Sequence, residues 1–212
     1  MYEYAEIVGY RHSNKGTELR VIIPDKELGD YIKRFNVKGI VPAELRLFDG
    51  RSISADQRKK IYATIGDIAN YTGYIPEELK ELLKYNYMAE SGEEYFSFSN
   101  CSVTVARLFI NFLIEFAFYW DIPLMDTGLN RTDDISKYLW LCIKFRKCCI
   151  CGKPGEIHHV DTIGIGRDRT KVDDSNYKKI ALCRIHHTEA HVIGKDSFEN
   201  KYHVYGVTYK ED

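Results

Sequence analysis

The chain has 212 residues, 44% of them hydrophobic, and carries 30 Lys+Arg against 31 Asp+Glu for a formal net charge of −1. That length buries a good core as one large domain or two small ones, and the charge balance excludes a strongly basic nucleic-acid coat. The most apolar run, Val103 to Trp120, is interrupted by Arg107, Asn111 and Glu115, which argues against a membrane helix and for a core helix or a dimer interface.

Residues 1–53 read as strands with turns. Ile7-Val8-Gly9-Tyr10 and Leu19-Arg20-Val21-Ile22-Ile23 are β-branched runs on either side of a hairpin connector, Ser13-Asn14-Lys15-Gly16. A short helix is expected from Lys26 to Phe35. A further strand is expected over Ala43–Phe48, ending at Asp49-Gly50. Helices follow. Ser54-x-x-Gln57 is a capping box that opens a helix to about Asn70, with Ile61, Ile65 and Ile68 on one face. Pro76 suits a first helical turn, for a helix to about Tyr85. Ser102 caps the apolar helix 103–120, and Asp121-Ile122-Pro123 ends it. Thr132-Asp133-Asp134 starts a helix through Ile143, and Gly128 and Asn130 mark a hinge just ahead of it.

The last third concentrates metal-binding chemistry. Six of seven histidines lie between 158 and 203, and four of six cysteines between 148 and 183. Cys148-x2-Cys151, with the turn-forming Gly152-Lys153-Pro154-Gly155 behind it, and Cys183-x2-His186 are two paired knuckles. Together they supply the four N/S ligands of a closed tetrahedral zinc site. Buried free cysteines are the plain alternative. Cys149 faces away from the knuckle in this reading, and Cys101 and Cys142 are core.

His158, His159, His187 and His191 remain. His187 and His191 are four apart, so a helix puts both on one face, close enough to share a cation. His186 and His187 are consecutive, about 100° apart on a helix, so one can serve the zinc and the other a second ion. Glu156 to Val160 alternates as a strand, so His158 and His159 face opposite ways unless the strand ends there. One ligand and one general base is the natural division. Between the histidine sets, Gly164 to Lys171 offers two glycines and the cations Arg167, Arg169 and Lys171 to phosphates, although a solvated basic loop reads the same way. His203 is expected to pack or to play a supporting role. Residues 144–212 carry 13 Lys+Arg against 10 Asp+Glu, and residues 1–143 carry 17 against 21, so the excess cation lies with the metal motifs.

His158-His159, Asn176 and His187-x3-His191 resemble an HNH endonuclease of ββα-metal fold, over about residues 145–207. The histidine pair and the terminal H-x3-H are similar to the colicin-type branch, and the C-x2-C and C-x2-H knuckles to the zinc-stabilised HNH domains of phages. The resemblance implies that His158, His187 and His191 hold a catalytic cation (Mg, Mn, Ni or Zn). It implies that His159 is the general base and that Asn176 fixes the loop that orients it. Cys148, Cys151, Cys183 and His186 would hold the structural zinc. Products would carry 5′-phosphate and 3′-hydroxyl ends.

The helix from Ser54 to Ala69 and the helix from Phe109 to Trp120 resemble the phage Orf (NinB) recombination proteins, over roughly residues 50–124. Those are dimeric mediators that bind single-stranded or branched DNA and act with single-strand-binding protein. The whole arrangement is similar to a phage HNHc nuclease family. The expected fold class is α+β: an Orf-like domain at 1–128 for DNA binding and dimerisation, then a zinc-stabilised HNH domain at 129–212. The expected function is a metal-dependent DNA endonuclease for recombination or repair intermediates, a homodimer in the bacterial host cytoplasm, with no membrane partner. A non-catalytic zinc-containing mediator is the alternative from another class, but it leaves the second histidine set without a use. A homing or restriction enzyme is a third reading, disfavoured because no helix-turn-helix or basic arm is evident.

Overall fold

The computed structural model describes residues 5–25, 27–35, 41, 45, 50–160 and 176–210. The chain divides into two compact units, Met1–Leu47 and Phe48–Asp212. In the first, β1 (Glu6–Ser13) and β2 (Gly16–Ile22) form the expected antiparallel hairpin, followed by α1 (Leu28–Phe35). Gly16 turns the corner at φ 123°, a backbone conformation open to glycine. Of the strand expected over 43–48 only Leu45 is among the described residues, and it is in no strand.

The second unit begins with a helical layer: α2 (Ala55–Thr72), α3 (Pro76–Ser91), α4 (Val103–Tyr119), the single turn α5 (Gly128–Arg131) and α6 (Ile135–Lys144). At Ser54 both halves of the capping box are made: its hydroxyl accepts from Gln57 N, and the Gln57 side chain accepts from Ser54 N. Ser102 and Asp134 cap α4 and α6 by a single bond each, accepting from Val105 N and Lys137 N, each cap contributing about 1 kcal/mol. Helix α3 runs six residues past its expected end, because nothing breaks it before Gly92, which takes the left-handed conformation at φ 69°. Ile61, Ile65 and Ile68 pack against Leu83, Phe109, Leu113 and Ile114, all essentially without solvent exposure.

The sheet follows. The strands β3 (Glu156–His159), β4 (Lys178–Leu182) and β5 (Val207–Thr208) are antiparallel with β4 in the middle. Next in the chain after β4 come α7 (Arg184–Ile193) and α8 (Lys195–Tyr202). Ile180, Ala181 and Leu182 of β4 are buried in one core with Tyr138, Leu139 and Cys142 of α6. The protein is thus mixed α and β, with helices and small antiparallel sheets segregated along the chain. Among the described residues no helix is long and apolar enough to cross a membrane.

The boundary expected at 128/129 falls inside the second unit. The buried pair Asp67–Arg131 (3.0 Å), Lys60–Asp133 (2.5 Å) and Lys144–Glu115 (2.7 Å) tie residues on either side of it. Gly128 starts α5. A Cβ there would come within 2.5 Å of Tyr138 Cε2, so glycine is the residue that lets α5 close on α6. The Tyr138 hydroxyl in turn donates to the Cys149 carbonyl at 2.9 Å, which joins α6 to the cysteine turn.

Candidate metal centre and active site

The first cluster is the pair of knuckles. Cys148 opens a tight turn closed by Gly152 N–H to Cys148 O at 2.8 Å, with Gly152 at φ 69°. Cys183 follows β4 and stands as the N-cap of α7. His186 is in the first turn of that helix. The four ligand atoms of Cys148, Cys151, Cys183 and His186 all lie within 4.8 Å of one another. Cys151 Sγ to Cys183 Sγ is 3.7 Å, and His186 Nδ1 is 3.4 Å from Cys148 Sγ and 3.3 Å from Cys183 Sγ. A tetrahedron with Zn–S of ~2.3 Å has S–S edges of ~3.8 Å, so the donor set fits one zinc ion.

Burial pushes the Cys148 thiol up to about 11. Burial also acts to raise Cys183, but the His186 backbone N–H at the start of α7, with the Cys151 and Cys148 side chains, more than offsets it and holds this thiol below its ordinary value. Cys149 is buried outside the cluster, as expected, and so are Cys101 and Cys142.

The second cluster is on the other side of α7. His158, His187 and His191 bring one ring nitrogen each within 4.8 Å. Ring centroids are 4.7 Å (158–187), 4.9 Å (158–191) and 4.9 Å (187–191), and the Nε2 atoms of His187 and His191 are 3.1 Å apart. With metal–nitrogen bonds of ~2.0–2.1 Å, neighbouring ligand nitrogens stand ~3.0–3.4 Å apart, so this set also fits one cation. Burial first, then the neighbouring His187, His191 and His159, push His158 down to about 4. Its lone pair is therefore available at neutral pH.

That shift sets a pH window. The unfolded chain takes up this proton near 6.5, whereas the folded chain holds it off until about 4. The contribution of the neutral ring is full above 6.5 and is lost as pH falls through the folded value. Stability is therefore expected to fall on acidification across this interval, as measured by thermal melts at stepped pH.

A residue that the sequence reading passed over completes the cluster. Glu156 Oε1 accepts from His187 Nδ1 at 2.5 Å and is 3.4 Å from Arg184 Nη1. The His187 hydrogen bond, and then Arg184, hold the Glu156 carboxyl below its ordinary range. A carboxylate only accepts, so Nδ1 carries the proton and Nε2 keeps a lone pair for a cation. The signal was present in the strand period: Glu156 and His158 are two apart and face the same way. Glu156→Ala is expected to weaken metal binding at the histidine set about 10–100-fold and leave the cysteine set loaded, as read by chelator competition.

His159 is half-buried at the end of β3, opposite Lys179, and lines the same groove as His158, His187 and His191. This groove of about 380 Å³ also takes in Lys195, Phe198 and Glu199, which sequence reasoning did not single out. Lys195 follows Gly194, where α7 gives way to α8 at φ 81°. Asn176 is exposed in the turn before β4 and is not among the residues lining the groove. Arg167, Arg169 and Lys171 lie outside the described residues. His203 does not pack: it is exposed and ends α8 at φ 54°.

Three comparisons bear on this site. Curated relatives include tRNA uridine(34) hydroxylases from Buchnera aphidicola subsp. Acyrthosiphon pisum, strains Tuc7 and 5A. Each is 26% identical over 152 residues, covering 68% of this chain and 44% of the relative. The chain thus spans less than half the length of the curated relatives it matches. No solved structure matches it. Residues 31–212 match the family described as "Putative HNHc nuclease", and with all but the first thirty residues covered, the chain belongs to that family of nucleases.

Proposed function

We infer that the protein is a metal-dependent DNA endonuclease that hydrolyses phosphodiester bonds in the groove lined by His158, His159, His187 and His191. The observation that carries this reading is the second ligand set. A zinc module needs only Cys148, Cys151, Cys183 and His186, yet three further imidazoles converge beside it, one of them held in its metal-binding tautomer by Glu156. The order β3–β4–α7 supports a ββα-metal arrangement, and membership of a nuclease family implies DNA as the substrate.

In this reading His158, His187 and His191 bind one divalent cation, which when present stabilises charge on the phosphoryl group and the leaving oxygen. His159 takes the proton from the water that attacks phosphorus, a general-base role that an imidazole beside the bound cation can fill. Asn176 orients His159, and Lys195, Arg167, Arg169 and Lys171 meet the phosphates on either side. Zinc at the cysteine set would hold β4 and α7 together, so that His186, His187 and His191 keep their places on one helix.

The finer reading is a phage enzyme acting on branched or single-stranded recombination intermediates. Residues 1–128 would bind DNA and pair two copies, residues 129–212 would cut, and single-strand-binding protein would be a partner. The likeness to tRNA uridine(34) hydroxylases covers too little of those proteins to carry their activity here.

The test is cleavage of labelled duplex, single-stranded, flapped and four-way-junction DNA with Mg²⁺, Mn²⁺, Ni²⁺ or EDTA. Metal-dependent cutting is expected. Binding without cutting under every metal would leave a zinc-containing mediator.

A further inference from the structure

Far from the histidines in sequence, α2, α3 and the segment leading into α4 enclose a second pocket of about 390 Å³, lined by Arg58, Tyr62, Lys80, Glu81, Lys84, Tyr95 and the turn Ser97–Ser99. It shares no residue with the nuclease groove. Its volume is within the ~300–1,000 Å³ range of ligand sites.

The lining has a definite chemistry. Three cations face one carboxylate. Lys84 is the unusual one: its side chain is 3% exposed, with the ammonium 3.3 Å from Glu81 and 3.9 Å above the Tyr95 ring. Glu81 also contacts Lys80 at 3.2 Å and accepts from the Tyr95 hydroxyl at 3.2 Å, so one carboxylate positions both lysines and the ring between them. Arg58 donates through Nε to Phe98 O at 2.9 Å, and among the described residues no carboxylate pairs with it. The cations therefore exceed what Glu81 neutralises, and the pocket favours an anion.

Beside the cations are aromatic rings that folding leaves in water. Tyr62 is 49% exposed, and Tyr95 and Tyr85 are 58% exposed each. Tyr62 stands edge-on to Phe98 at 5.8 Å, and Tyr85 lies 6.4 Å from Tyr95. Rings flanking cations on an open surface are the combination that binds an unpaired strand, with stacking for the bases and charge for the backbone. A lone phosphate would use the cations but not the tyrosines. A paired duplex would offer no free base faces to them.

We propose that this pocket binds unpaired nucleotides of a single-stranded nucleic acid, with Lys80, Lys84 and Arg58 on the phosphates and Tyr95 and Tyr62 stacking on bases. The ligand class rests on the nuclease reading; the pocket and its charge do not. The site would hold a single-stranded segment while a different surface of the chain cuts.

The test is fluorescence anisotropy of the full chain with labelled oligo-dT, oligo-rU and a duplex, each of about 15 nucleotides per strand, the upper end of single-strand site sizes. Probe integrity is checked on gels. The wild type is expected to prefer one or both single strands over the duplex, and the dT and rU arms tell DNA from RNA. Tyr95→Ala and Lys80→Glu should each weaken that binding on the order of tenfold, while Tyr95→Phe retains it. Lys80→Glu should also reduce the slope of log K on log salt by about 0.7. Lys59→Glu, an exposed neighbour outside the pocket, separates the pocket from general charge. Melting and zinc content confirm that the variants are folded. Equal affinity of wild type, Tyr95→Ala and Lys80→Glu would overturn the proposal, and so would an equal loss in Lys59→Glu or displacement of the strand by inorganic phosphate at matched ionic strength. Pocket-dependent binding without any cutting would overturn the nuclease reading and keep the pocket. Cutting without pocket-dependent binding would do the reverse.

Discussion

Cys183→Ser is expected to release the structural metal and unfold the sheet-and-helix end of the chain. Cys183 joins β4 to α7, and its sulfur is 3.7 Å from Cys151 Sγ and 3.3 Å from His186 Nδ1. Serine keeps the N-cap position but offers a weak ligand oxygen in place of a thiolate. Structural zinc sites contribute on the order of 10–16 kcal/mol of binding free energy, comparable to or above the ~5–15 kcal/mol that holds a whole domain folded. Since α7 also carries His187 and His191, the variant should lose the second metal and any cleavage as well. Zinc content and a thermal melt check this, with Cys142→Ala as the control, because Cys142 is a buried cysteine outside the four-residue set. A cooperative melt with wild-type zinc content in Cys183→Ser would remove the knuckle assignment.

His159→Ala carries the second large effect. A positioned general base contributes about 10²–10⁴-fold to rate, so cleavage should fall by that factor. His159 is outside the three-histidine set, so metal content at both clusters and DNA affinity should stay at wild-type levels. His187→Ala is the contrasting case: it should lose cleavage and the second metal together. If His159→Ala loses metal, then His158 and His159 exchange the roles assigned to them. If it cuts at the wild-type rate, the base lies elsewhere in the groove, with Glu199 next in line as a lining carboxylate.

The clustering of the candidate ligands was legible because the spacing within each pair is local. A two-residue gap, or a four-residue step along a helix, places side chains together whatever the rest of the chain does. The Ser54 box and the Ser102 cap were legible for the same reason. Glycine has two uses, freedom at a hinge and room for a neighbour, and the sequence pointed only to the first at Gly128. Here it clears space for Tyr138, a contact that depends on α5 and α6 meeting. The strand β4 escaped notice because Lys178-Lys179 at its start masks a short apolar run, and Lys179 is itself buried in the sheet.

The sequence by itself determined the spaced pairs that could act as ligands and where the helices start, since each depends on residues a few positions apart. Strand alternation left the 158–159 pair open and the resemblance pointed to His158; the tertiary structure brings His158 to His187 and His191, because the strand register and the placement of α7 select one face. Only it joined Glu156 to His187 across 31 positions, and brought Lys80, Lys84 and Arg58 around Tyr95. Those pairings depend on how separate elements pack, and packing is set by the whole core rather than by any local run of residues.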